Sequence, residues 1–227
     1  YTKKQDIEVS GFIASAFAYG QRKKIIENLE NIHKILNTSP YEFVINFDLD
    51  RDASFFSGFC YRFTGEQDIL FLIDSLGKVL RKFETLEDAF LLGYSPQDKN
   101  VKIGLINFVN LLRANLPCGE PCAKTLNHLV PSPENGSACK RLNLFLKWMV
   151  RKPPVDLGIW NRVPADKLII PLDVHVARVS MLWGLTDRKS DDWLKAEEIT
   201  EKLKQFDPVD PVKYDFAIFG AGEAGLA

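Results

Sequence analysis

Asp173 stands where carboxylate chemistry is easiest to place. The apolar run Leu168-Ile169-Ile170 leads into Pro171-Leu172-Asp173-Val174-His175-Val176-Ala177-Arg178, and the spacing of Val174, Val176, Val179, Met181 and Leu182 predicts a helix after the acid. Asp is a favoured N-cap because its carboxylate accepts bonds from the first free backbone N–H groups. A carboxylate fixed at a helix start has a second use, since it can steady a cation that develops beside it. Thirty-three residues upstream lies Lys140, in Pro133-Glu134-Asn135-Gly136-Ser137-Ala138-Cys139-Lys140-Arg141-Leu142. That segment reads as a Pro- and Gly-containing turn running into a helix that begins with basic residues. Free N–H groups at such a start bind phosphate, and a nearby Lys or Arg adds charge. Lys147 lies seven residues on, nearly on the same helical face and about 10 Å further along the axis. An amine and a carboxylate, each near the start of its own helix, can converge on one site. The plainer readings are a simple cap for Asp173 and surface charge for the lysines.

Charge over the whole chain says little about a partner, for the 227 residues carry a net charge of -1. Its distribution says more. Between Cys139 and Lys189 stand ten basic residues (Lys140, Arg141, Lys147, Arg151, Lys152, Arg162, Lys167, Arg178, Arg188, Lys189) and four acids (Asp156, Asp166, Asp173, Asp187). A local excess of this kind is expected of a phosphate-binding face, and a solvated surface is the bland alternative. No apolar run approaches the roughly 18–20 residues of a membrane span. No secretory signal is visible, and the opening at Tyr1 rather than Met leaves a preceding targeting signal open. Four cysteines are too few and scattered for a disulfide scaffold, so a reducing compartment is expected. Cys118 and Cys122 with His128 and Cys139 fit no common zinc spacing; neither a metal nor a cofactor is expected.

Helical periodicity runs through almost the whole chain. Stripes are carried by Phe12, Ile13, Ala16 and Phe17, by Ile69, Leu72, Ile73, Leu76 and Leu80, by Val101, Leu105, Phe108, Val109 and Leu112, and by Leu142, Phe145, Leu146 and Met149. Ser39-Pro40 reads as an N-cap followed by Pro at the first helical position. Thr85 opens a short helix, Trp193 to Phe206 is a charged amphipathic one, and Asp210-Pro211 starts the last. Leu116 to Gly136 and Pro153-Pro154 break the pattern. No strand alternation appears. The expected fold is all-α with nine to eleven helices. One lobe spans 39–116. The second combines 1–38 with 117–227, and a cleft separates the two.

The order of turn, helix, linker and "PLDVHVAR" resembles the helix-hairpin-helix DNA glycosylases, whose signature is a hairpin, a catalytic Lys and a Val-Asp-x-His-like helix start. The tail agrees, with the helix from Asp192 to Phe206, a linker at Asp207-Pro208, and Lys213 to Gly220 as a final helix ending in Gly. The resemblance covers Pro133 to Gly222. Ser132-Pro133-Glu134-Asn135-Gly136-Ser137 stands where the family has Leu-Pro-Gly-Val-Gly. The long gap from Lys to Asp, with a second Lys one heptad on, is similar to the archaeal 8-oxoguanine glycosylase branch, and the whole chain looks like an uncharacterised, mainly bacterial family grouped with it.

That resemblance implies a DNA-repair glycosylase with AP-lyase activity on double-stranded DNA carrying a damaged base, with 8-oxoguanine as the first candidate. It implies Lys140 as nucleophile with Lys147 in reserve, and Asp173 as stabiliser of the sugar cation. It also implies Gln21, Asp215 and Phe219 around the base, with Gly136, Ser137, Arg141 and Arg178 on the DNA backbone. An attacking Lys140 must be neutral, which neighbours such as Arg141 and Lys147 would favour. No cluster cysteines follow Phe219, so no iron–sulfur centre is expected. A monomer in the cytoplasm, associated with the nucleoid and not with membrane, completes the expectation. The alternatives are a non-catalytic damaged-DNA-binding module of the same fold and an all-α interaction scaffold. His175 is read as a packing residue. The cluster Phe55, Phe56, Phe59, Tyr61 and Phe63, interleaved with Arg51 and Arg62, suits core packing first and a DNA wedge second. Trp148, Trp160, Trp183 and Trp193 are core or interface residues first.

Overall fold

The computed structural model describes residues 1–117 and 126–225. It is all-α, with eleven α-helices lying within the described residues and one two-stranded ribbon. None of these helices is long and apolar enough to cross a membrane. Two compact units make up the chain, Tyr1–Gly93 with Ile106–Pro131 and Tyr94–Leu105 with Ser132–Ala227.

The first unit holds α1 (Lys4–Ala16), α2 (Arg22–Leu36), α3 (Pro40–Asn46), α4 (Leu49–Asp52), α5 (Glu66–Leu80), α6 (Leu86–Leu91) and all but the first turn of α7 (Lys102–Ala114). Local chemistry sets several starts. The Ser39 hydroxyl accepts the Glu42 N–H, with Pro40 at the first helical position, and Thr85 caps α6 through the Asp88 N–H. Ile69, Leu72, Ile73, Leu76 and Leu80 of α5 are buried as one helical face.

The N-terminal helices belong to this unit, not to the second lobe as expected from the sequence. The physical reason lies in two buried acids of α1. The Asp6 carboxylate accepts bonds from the Ser39 hydroxyl (2.8 Å) and the Tyr41 N–H (2.9 Å), and the Glu8 carboxylate accepts the N–H groups of Leu86 (3.0 Å) and Glu87 (3.2 Å). Helix α1 thereby caps α3 and α6. Residues 94–105, placed by the sequence reading in the first lobe, lie in the second unit.

A ribbon absent from the sequence reading pairs Cys60 with Gly65 and Tyr61 with Thr64. Strands of two residues cannot display alternation, so the pattern carries no trace of them. The aromatic cluster divides here. Phe56 and Tyr61 are buried, whereas Phe55 and Phe63 are exposed. Of the loop expected from Leu116 to Gly136, Cys118 and Cys122 lie outside the described residues. The later part consists of turns and a 3-10 turn at Pro133–Asn135. His128 belongs to the first unit and Cys139 to the second.

In the second unit lie α8 (Lys140–Val150), α9 (Val174–Leu182), α10 (Trp193–Leu203) and α11 (Asp215–Glu223). Leu142, Phe145, Leu146 and Met149 of α8 are buried, with Ile169 and Ile170 of the extended approach to α9 and Ala196, Ile199 and Leu203 of α10. Trp160 and Trp193 belong to this core. Trp183 does not, being half exposed just past α9. The stretch opened by Pro211 begins as a 3-10 turn (Pro211–Tyr214) before α11 takes over at Asp215. Helices α9 and α11 approach so closely that a Cβ on Gly222 would come within 2.8 Å of the His175 Cβ.

Candidate active site

The geometry that matters lies within the second unit and starts with two helix beginnings. Before α8 the chain turns through Gly136 at φ 77°, and Cys139 takes φ 48°, a left-handed conformation uncommon for a residue with a side chain. Ser137 forms an isolated antiparallel bridge with Asp192, the Gly136 carbonyl accepts the Trp193 N–H (3.0 Å), and the Ser137 hydroxyl accepts the Cys139 N–H (3.2 Å). The start of α10 therefore holds the turn from which Lys140 projects. Asp192 is fixed in its own right, since it caps α10 through the Lys195 N–H (2.9 Å) and pairs with Arg188 (3.1 Å).

Asp173 caps α9 as its residue type predicts. One oxygen, Oδ1, accepts the N–H groups of His175 (3.0 Å) and Val176 (2.9 Å). The other, Oδ2, lies 3.4 Å from Lys140 Nζ. Capping and contact with the amine are thus divided between the two oxygens. Asp173 is largely enclosed and the Lys140 side chain is about one-third exposed, at 13 % and 36 %. A reacting group from outside can reach the amine.

Lys147 has a different setting. Its side chain is only 6 % exposed, and its Nζ lies 2.9 Å from Asp215 Oδ2 and 3.8 Å from Asp156 Oδ1. Arg151, one turn on, also pairs with Asp156 and grips Asp210 through Nε at 2.8 and 3.0 Å. Two cations and three carboxylates make a part-buried network. Burial pushes the Asp215 carboxyl above its ordinary range; Lys147 opposes the shift, while the charges of Asp173 and Asp156 add to it. The Lys147 charge is thus engaged by Asp215 and Asp156.

Asp156, Arg151 and Asp210 were not singled out as site residues in the sequence. After the Pro153-Pro154 break the chain folds back, with the Leu157 and Gly158 N–H groups donating to the Trp148 carbonyl, and this return brings Asp156 beneath α8. The i, i+4 spacing of Lys147 and Arg151 was the one available hint.

The remaining expected residues separate. Phe219 packs edge-on against His175, with ring centroids 5.4 Å apart, which fits His175 as a packing residue. The Arg178 guanidinium donates to the Gly222 carbonyl (2.7 Å), tying α9 to α11. Arg141 follows Lys140 in the first turn of α8 and is partly exposed. Gln21 is exposed in the first unit, at the N-cap of α2, and its side chain makes no capping bond. The local basic excess is met in part by acids from outside its window: Arg151 pairs with Asp210, Lys147 with Asp215 and Arg188 with Asp192. Among the described residues, no group of three His, Cys, Asp or Glu side chains is placed to hold a metal ion.

Fold and site together define an all-α protein that presents a lysine and a carboxylate from the starts of two helices. The family model described as "Protein of unknown function (DUF2400)" matches residues 1–224, and the chain belongs to that family. No curated protein and no solved structure matches it.

Proposed function

We propose that this chain is a DNA-repair glycosylase with AP-lyase activity. The observation that carries the reading is the 3.4 Å approach of Lys140 Nζ to Asp173 Oδ2, both at helix starts and on a face that solvent reaches. We read the turn 132–139 with α8 as its helix-hairpin-helix element. DNA is the partner, and the damaged base leaves the stack to expose its C1′ bond.

The neutral amine of Lys140 attacks C1′ as the bond to the base breaks, and the base departs with the bonding pair and a proton. Asp173 stabilises the cationic sugar as it forms, accepts the proton released from the attacking nitrogen and passes it to the departing base. Opening of the sugar leaves a Schiff base between Lys140 and C1′. Loss of a C2′ proton then expels the 3′ phosphate. The partial exposure of Lys140 and the engagement of Lys147 by two carboxylates support Lys140 over Lys147 as the nucleophile. An oxidised purine, 8-oxoguanine, is the proposed base, on the family resemblance.

Borohydride reduction in the presence of lesion-containing duplex tests the reading. It should trap a covalent complex with the natural chain and none with Lys140→Gln. Binding with a steep salt dependence but no trapping and no cleavage of an abasic duplex would replace it with a non-catalytic damaged-DNA-binding module.

A further inference from the structure

The aromatic and arginine segment belongs to the first unit, and Lys140 to the second. The ribbon Cys60–Gly65 turns through two residues, Arg62 and Phe63. Arg62 takes φ 54°, where L side chains are rare, and Phe63 is thrust outward, 76 % exposed. An exposed phenyl ring on a strained turn is costly to maintain without a use.

Two side chains flank that ring. Tyr19 lies nearly parallel to it, at 8° between planes and 6.4 Å between centroids. Tyr19 is itself fixed, for its hydroxyl bonds the Thr64 hydroxyl (2.5 Å) and donates to the Tyr61 carbonyl (3.2 Å). Thr64 is held in turn by His128 Nε2 at 2.7 Å. The Arg62 guanidinium lies over the Phe63 ring, 5.3 Å from its centroid.

Charge identifies the occupant. Gly20 abuts the turn so closely that a Cβ there would come within 2.8 Å of the Arg62 guanidinium. The next residues, Gln21, Arg22, Lys23 and Lys24, are all exposed. Lys24 pairs with Glu27, but Arg22, Lys23 and Arg62 have no carboxylate in ion-pair reach among the described residues. Three residues span at most about 11 Å, so the backbone of Arg22 and Lys23 lies within that reach of Gly20, which abuts Arg62. A flat, exposed ring with Arg62 over it and further uncompensated cations on the neighbouring segment complements a base that stacks and phosphates that flank it.

We propose that the Arg62-Phe63 turn, with Arg22 and Lys23, binds single-stranded nucleic acid, an unpaired base stacking on Phe63. Fluorescence anisotropy of the full chain with a short labelled oligothymidylate, over rising KCl, tests this. Phe63→Ala should weaken binding about tenfold with the salt slope unchanged, since stacking and not charge is removed. Lys23→Gln should reduce the slope by about 0.7. Phe63→Trp should bind as the natural chain does; circular dichroism confirms that the exposed substitutions leave the fold intact. Unchanged affinity in Phe63→Ala overturns the proposal, as does binding of anionic vesicles without binding of the oligonucleotide. Borohydride trapping of the natural chain with lesion-containing duplex is read separately: no trapping with oligothymidylate still bound is a failure of the lyase reading alone.

Discussion

Lys147 Nζ lies 2.9 Å from Asp215 Oδ2 inside the second unit, while Lys140, seven residues earlier on the same helix, keeps its amine accessible beside Asp173. Two lysines of one helix thus hold different positions, one locked among carboxylates and one presented at the helix start.

The difference is measurable by substitution. Lys147→Gln leaves Asp215 and Asp156 without their shared cation in a nearly dry setting, and breaking such a pair costs about 3–5 kcal/mol. For a chain of this size that lowers the Tm by roughly 6–20 °C. Lys140→Gln should move the Tm by no more than about 4 °C, because the partly exposed pair is worth about 1 kcal/mol or less. Thermal melts of the two variants side by side check this, and equal losses would contradict the separate roles.

Asp173 caps α9 and, on the proposed function, also steadies the sugar cation; conservative chemistry separates the two. Asn caps helices about as well as Asp, so Asp173→Asn should retain stability within about 0.5 kcal/mol. It removes the negative charge, and base release should slow about a hundredfold or more under single-turnover conditions. Asp173→Ala should lose the cap as well, at about 0.5–2 kcal/mol. Denaturant titration and single-turnover assays on both variants distinguish the two contributions.

Gly222 faces the first turn of α9. Gly222→Ala places a methyl 2.8 Å from the His175 Cβ and 3.2 Å from Val179 Cγ2. Overpacking of this kind costs about 1–3 kcal/mol. Because His175 lies two residues from Asp173, lesion processing should fall along with stability. A variant with unchanged Tm and unchanged single-turnover rate would show that α11 yields without moving α9.

Acid stability should carry the signature of one exposed pair. The Lys213 ammonium, and then the N–H groups of Asp210 and Val209, bring the Asp207 carboxyl down to about 2 from 3.8. A lowered pKa means that the stabilisation is fully present above pH 3.8 and is lost as the pH falls through about 2. Asp207→Asn should therefore be less stable than the natural chain above that window and converge with it below. Tm values measured across acid pH test the sign, and parallel curves would refute it.

Caps were legible in the sequence because they are local. Asp173, Ser39, Thr85 and Asp192 each bond N–H groups two or three residues ahead, so residue type and position suffice to find them. Asp6 and Glu8 defeat that logic. As acids within the first two turns of α1 they resemble ordinary favourable charges at a helix start, yet their bonds reach Tyr41 and Leu86. The misassignment of residues 1–38 follows from those long-range partners. Lys147 escaped for a related reason, since heptad spacing gives it the face of Lys140 but says nothing of Asp215, 68 residues away. The Lys140–Asp173 approach was anticipated because both residues belong to helix starts, where the backbone leaves few directions for a side chain.

The same circumstance governs how such a chain tolerates change. Lys140 and Asp173 are set by where two backbones begin to coil, not by the apolar residues further along. Within α8, an exchange of Leu142 or Phe145 for a neighbour of like volume is a modest perturbation. One residue inserted between Lys140 and Leu142 is not, because it carries the amine about 100° around the cylinder relative to the buried face. The spacing within that first helical turn, more than the identity of the apolar residues after it, sets the permissible drift of the chain.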